Sequence, residues 1–154
     1  MEMDELITLE SVLPHLKVAS KKQALHELSK RAAELTQLSD RQIYEVLVER
    51  ERLGTTGVGN GIAIPHGKLA ALTRLYGLFA RLETPINFEA IDDQPVDLIF
   101  LLLAPEHAGA DHLKALARIS RLLRDRTVCE KLRGADTAEA LYALLTDSTA
   151  SRAA

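Results

Sequence analysis

Four stretches of the chain carry apolar residues at helical spacing, three of them behind a side chain able to cap a helix. Ser20 stands three positions before Gln23, a capping-box pattern, and Ala24, Leu25, Leu28, Ala32 and Leu35 then form one apolar stripe. His26 falls beside that stripe and reads as a solvated helix residue. Ser39 and Gln42 repeat the signal ahead of Ile43, Val46 and Leu47. Arg50 and Arg52 close that second helix, where cations complement the helix dipole. Asp111-His112 opens the longest pattern, with Leu113, Leu116, Ile119, Leu122 and Leu123 on one side and Lys114, Arg118, Arg121 and Arg124 on solvated faces. Asp136 and Glu139 precede Leu141, Leu144 and Leu145 in the last stretch, and Thr127 to Leu132 reads as a short helix or turn ending near Gly134.

Between the helices the apolar runs are shorter. Leu6-Ile7-Thr8-Leu9 predicts an edge strand, after which Pro14 breaks the chain and leaves His15 in a loop or single turn. Ile62-Ala63-Ile64 is a brief buried strand that Pro65 should end. Leu75 to Leu82 is a further strand, stopped at Thr84-Pro85, and Asp92-Asp93-Gln94-Pro95 is a turn. Val96 to Ala104 is almost continuously apolar, as expected of a central strand covered on both faces, and a loop follows from Pro105 to Ala110. Strands and helices intermix, so the class is α/β, one sheet with helices on both faces. The 154 residues suit one domain with a real core, residues 1–147, followed by a small and polar tail, residues 148–154, expected to fray.

Composition adds mainly exclusions. Hydrophobic residues make up 47% and charged residues 27%, ordinary for a globular protein. A formal net charge of −3 offers no electrostatic case for nucleic acid as a partner. The longest apolar run, ending at Pro105, is too short for membrane insertion. The N-terminus is acidic and lacks the basic segment and apolar core of a signal peptide. Cys129 stands alone, so an internal disulfide is impossible; a cytoplasmic location is expected, with the thiol a small buried hydrophobe.

Residues 54–68 do not read as scaffold. Gly54, Gly57, Gly59 and Gly61 fall within eight residues, at an entropic cost that ordinary packing does not repay. His66 follows at the lip of a strand, between Pro65 and Gly67, with little bulk beside it, which makes it a candidate nucleophile. The dinucleotide fingerprint needs G-x-G-x-x-G between strand and helix, and neither that spacing nor a phosphate-binding G-x-x-x-x-G-K-[ST] is present. His107 and His112 lack the spacing of zinc-protease ligands, so no metal site and no cofactor are expected. Phosphoryl transfer to histidine needs a neutral ring nitrogen and donors aimed at three equatorial oxygens, from arginine, a second histidine or backbone amides.

The segment from Arg50-Glu51-Arg52 through Gly54-Thr55-Thr56-Gly57-Val58-Gly59-Asn60-Gly61 to Ile64-Pro65-His66-Gly67-Lys68 resembles the active-site segment of the mannitol/fructose-type (type-2) enzyme IIA domains of the bacterial phosphoenolpyruvate-dependent phosphotransferase system. Leu82 to Leu98 resembles the nitrogen-regulatory branch, IIA-Ntr, and the similarity covers nearly the whole chain. Thr55 stands where serine is commoner, which keeps the hydroxyl. The resemblance implies a mixed parallel and antiparallel sheet, and a role for His66 as phosphoryl acceptor, through Nε2, from a small HPr-like phosphocarrier (NPr). It adds phosphate-site duties for Arg50 and His112, which the residues alone would leave as helix-end residues. Thr56 is a weaker candidate for orienting the imidazole or a phosphoryl oxygen. Lys68 can attract an anionic donor or be merely solvated. The branch implies regulatory output through partner proteins in nitrogen metabolism and potassium homeostasis. The alternatives are a sugar-specific IIA that passes phosphate to a separate IIB component, and an interaction module whose histidine is never modified.

Overall fold

The computed structural model describes residues 1–147; the tail expected at 148–154 lies outside the described residues. Strand β1 (Val12–Leu16) is followed by helices α1 (Lys21–Thr36) and α2 (Asp40–Arg52), then short strands β2 (Gly57–Gly59), β3 (Ile62–Ala63) and β4 (His66–Leu69). The long strands β5 (Tyr76–Ile86) and β6 (Val96–Pro105) come next, then α3 (Ala110–Arg124), α4 (Arg126–Gly134) and α5 (Ala138–Thr146). The sheet order is β1-β5-β6-β3-β2, with β4 also paired to β6. β1 runs parallel to β5, β3 and β4 run parallel to β6, and β5–β6 and β2–β3 are antiparallel. The sheet is therefore mixed, as the resemblance implied.

β6 organises the core because nearly every residue in it is buried. Leu98, Phe100, Leu102 and Ala104 pack with Ile119, Leu122, Leu132 and Leu141 of α3, α4 and α5. Val96, Ile99, Leu101 and Leu103 pack with Leu25, Leu28, Ile43 and Leu47 of α1 and α2. From Leu98 onward alternate side chains thus enter two apolar layers, which is why the strand reads as an unbroken apolar run. Cys129 is buried, its Sγ donates to the Leu123 carbonyl, and burial pushes its thiol pKa up. Among the described residues no helix is long and apolar enough to cross a membrane.

Several local expectations are corrected. Leu6 to Leu9 is not a strand: it joins 3-10 turns at Met3–Glu5 and Leu9–Ser11, the second closed by side-chain and backbone hydrogen bonds that Thr8 and Ser11 exchange. The edge strand comes later and contains Pro14 and His15, with an irregular register between Leu13 and Leu16. Proline is tolerated because an edge strand with an interrupted ladder does not need its N–H. β5 continues through Thr84-Pro85 to Ile86, again with a register shift, between Arg81 and Ile86. The glycine run contains a tight turn. Asn60 and Gly61, with φ of 57° and 81°, form the two-residue turn of a β2–β3 hairpin, a type for which Asn-Gly is the favoured pair. Thr137, rather than Asp136, caps α5, its hydroxyl accepting from the Ala140 amide.

Candidate active site

Pro65 ends β3 as expected, but the chain at once re-forms a strand with the same neighbour. Ile62 and Ala63 pair with Leu98 and Ile99, and His66 to Leu69 pair with Leu102 to Pro105. The gap at Ile64-Pro65 is bridged by the Leu102 amide donating to the Pro65 carbonyl. His66 therefore opens an edge strand whose ladder anchors its backbone. Gly67 faces α2: a Cβ there would lie 2.4 Å from Val46 Cγ1, so only glycine lets the helix approach. That approach brings Arg50, in the last turn of α2, alongside His66.

The hydrogen bonds of His66 settle its tautomer. Nδ1 lies 2.9 Å from the Ile64 carbonyl, which can only accept, so Nδ1 carries the proton. Nε2 keeps its lone pair, and Arg50 Nε donates to it at 3.3 Å. Arg50 Nη1 donates to the Gly54 carbonyl at 3.0 Å, which orients the guanidinium. His66 is half-buried, neither enclosed in the core nor open to bulk water.

His112, at the third position of α3, reaches the same place, with ring centroids 5.7 Å apart and planes at 53°. It is 8% exposed, and its Nδ1 has no hydrogen-bond partner. Burial pushes its pKa below the usual histidine value, and nearness to His66, when that ring is protonated, and to Lys68 pushes the same way. The ring is thus held neutral, able to donate one N–H without adding a cation. Val46, Glu49, Leu53, Gly67 and Lys68 complete a cleft of about 400 Å³ around the two histidines and Arg50. Leu53 is 85% exposed at its rim. An imidazole lone pair, a guanidinium, an ammonium and a neutral histidine on one small cleft suit an incoming tetrahedral anion. Among the described residues no group of three or more His, Cys, Asp or Glu side chains is placed to hold a metal ion.

His66, His112, Arg50 and Lys68 thus come together, whereas Thr56 does not line the cleft. It is buried, and both its amide and its hydroxyl are taken by the Glu51 carboxylate, at 3.0 and 2.5 Å. Sequence reasoning passed over Glu51, whose signal was only an acidic residue near a helix C-terminus, the unfavourable end for the dipole. Asp97 holds Arg133 through both carboxylate oxygens, and Arg133 Nη2 reaches the Asn60 carbonyl, pinning the hairpin before His66 to α4. Arg118, assigned to a solvated face, instead pairs with Glu2 and leaves its Nε buried without a partner.

Residues 5–148 match the family described as phosphoenolpyruvate-dependent sugar phosphotransferase system, EIIA 2. A nitrogen regulatory protein of Bradyrhizobium diazoefficiens is 61% identical over 145 residues, covering 94% of this chain and 95% of that protein. A nitrogen regulatory protein of Escherichia coli K12 is 43% identical over 149 residues, covering 96% and 91%. The crystal structure of nitrogen regulatory protein IIA-Ntr from Neisseria meningitidis superposes with a TM-score of 0.88 at 37% identity, covering 92% of this chain and 97% of that one. The chain belongs to the type-2 enzyme IIA family of the phosphotransferase system, in its nitrogen-regulatory branch.

Proposed function

We propose that His66 accepts a phosphoryl group on Nε2 from a phosphohistidine of an HPr-like carrier (NPr), and that the phosphorylation state governs binding to regulated proteins in the cytoplasm. The observation that carries the reading is the pair of bonds on His66, Nδ1–H to the Ile64 carbonyl and Nε2 facing Arg50. In the transfer, the Nε2 lone pair forms the new N–P bond while the carrier's N–P bond breaks and its imidazole keeps the electron pair. Positive charge builds on the His66 ring, and the Nδ1–H···O=C bond strengthens in response. Arg50 releases the lone pair and turns its N–H donors to the phosphoryl oxygens, where His112 and Lys68 converge from the α3 side and from β4. The acceptor step needs no carboxylate-bound metal, because the donor is already a phosphoramidate.

Phosphorylation adds roughly two negative charges at neutral pH to the mouth of a cationic cleft. A partner surface complementary to one state is therefore not complementary to the other, which is how a relay intermediate can signal to proteins of nitrogen metabolism or potassium homeostasis. The test is incubation with phosphoenolpyruvate, the enzyme I of the same branch and the carrier, read by intact mass. Wild type should gain one phosphoryl group, acid-labile and alkali-stable, and His66→Ala should gain none while remaining folded. An unmodified wild-type mass, or an alkali-labile ester, would refute the assignment.

A further inference from the structure

We propose that Glu51 is a positioning residue that sets both the tautomer and the aim of His66, an inference that rests on the phosphoacceptor reading above. Two chains of hydrogen bonds lead from this one residue to the two ring nitrogens, the first from its side chain and the second from its backbone carbonyl. In the first, the Glu51 oxygens hold the Thr56 amide and hydroxyl, the Thr56 carbonyl accepts from the Ile64 amide at 3.0 Å, and the Ile64 carbonyl accepts from His66 Nδ1 at 2.9 Å. In the second, the turn that Thr56 anchors begins at Gly54. Its amide donates to the Glu51 carbonyl, and its own carbonyl orients Arg50, whose Nε faces His66 Nε2.

The carboxylate is itself fixed. Lys21 Nζ lies 2.9 Å from Oε1, with Lys21 and Glu51 side chains only 15% and 7% exposed, and Nζ also lies 4.8 Å from the Phe88 ring centroid. A buried ion pair is a poor source of stability, since desolvation offsets most of its attraction, and an apolar side chain of equal size could fill the space. What the charge supplies is direction. A carboxylate accepting from both the amide and the hydroxyl of one residue locks that residue's position and rotation. Thr56 then presents its carbonyl to Ile64 in one orientation only. An imidazole without this constraint populates the Nε2–H tautomer, whose Nε2 has no lone pair for phosphorus. Thr56 thus acts through its backbone and its bond to Glu51, at one remove from the phosphoryl group.

Glu51→Gln retains the side-chain volume and removes the charge. The first readout is the long-range ¹H–¹⁵N spectrum of the His66 ring in the unmodified chain, which reports the tautomer and needs no carrier. The second is single-turnover transfer at varied concentrations of phosphorylated carrier. In a folded Glu51→Gln chain the His66 signals should shift from Nδ1–H toward a tautomer mixture. The maximal rate should fall roughly 10- to 100-fold with the half-saturating carrier concentration unchanged. Thr56→Val should act in the same direction, and Thr56→Ser should recover what valine loses; this pair decides the matter if Glu51→Gln does not fold. An unshifted His66 tautomer would overturn the proposal whatever the rate, as would a wild-type rate. Failure of wild type to take phosphate would instead refute the acceptor reading, and the tautomer spectra would still judge Glu51.

Discussion

Gly67→Ala probes the contact that brings Arg50 to His66. The added methyl would sit 2.4 Å from Val46 Cγ1, with Val46 Cβ at 3.8 Å and Leu47 Cδ2 at 3.9 Å. Carbon atoms pack at about 3.5–4.0 Å, so roughly 1 Å must be opened between β4 and α2. Val46 cannot relieve this by rotating, because a valine within a helix has one strongly preferred rotamer. The strand is held by its β6 ladder, so the displacement falls on α2. Arg50 lies one turn beyond Val46, and its 3.3 Å bond to His66 leaves little slack. Overpacking of this size costs about 1–3 kcal/mol, equivalent to a Tm lower by about 2–12 °C in a domain of this length. Urea unfolding and single-turnover phosphotransfer on the same samples would read stability and activity together, and both should fall. The double variant Val46→Ala with Gly67→Ala makes room for the methyl and should recover about 1–2 kcal/mol of the combined loss, a coupling expected only of groups in contact. A Gly67→Ala chain within about 0.5 kcal/mol of wild type, or penalties that simply add in the double variant, would refute the packing argument.

Arg50→Lys keeps the charge but lacks the fork that serves the Gly54 carbonyl and His66 together, so transfer should drop about 10- to 100-fold with little change in Tm; near wild-type transfer would show that charge alone suffices. His112, whose pKa is pushed down chiefly by burial, favours the fold in its neutral form. That contribution is complete above the ordinary histidine value of 6.5 and is lost as pH falls through the lower folded value, so urea midpoints should decline on acidification. His112→Asn should flatten this part of the profile, and an unchanged slope would contradict the assignment. Arg133→Met releases Asp97 and the Asn60 carbonyl from a half-exposed clamp, for which about 1 kcal/mol is expected after allowance for solvent screening, read from the urea midpoint. Faster amide exchange confined to residues 57–62 should accompany it, and unchanged protection there would show that the hairpin is pinned by other contacts.

Apolar periodicity sufficed to mark α1, α2, α3 and β6, because it records which faces of a single element are shielded from water. The Ser20 and Ser39 caps could be read off for the same reason: donor and acceptor lie three residues apart in one chain segment. His66 stood out because glycine and proline surround it, a local feature. Other properties needed a second element to be in place. Pro14 could enter a strand only because β1 lies at the edge of the sheet, and four residues beginning at His66 became a strand only because β6 extends beyond β3 and offers them a ladder. The neutrality of His112 comes from the layers that bury it, and the state of the His66 ring from the Ile64 carbonyl beside it together with a guanidinium brought up by α2. Glu51 shows the division most sharply. In the sequence it is one acidic residue beside an arginine, and only packing against Lys21 and Thr56 removes its water and leaves those two as its partners. What lies within one segment is written in the order of side chains; what depends on the exclusion of water, or on groups brought from distant segments, exists only once the layers have closed.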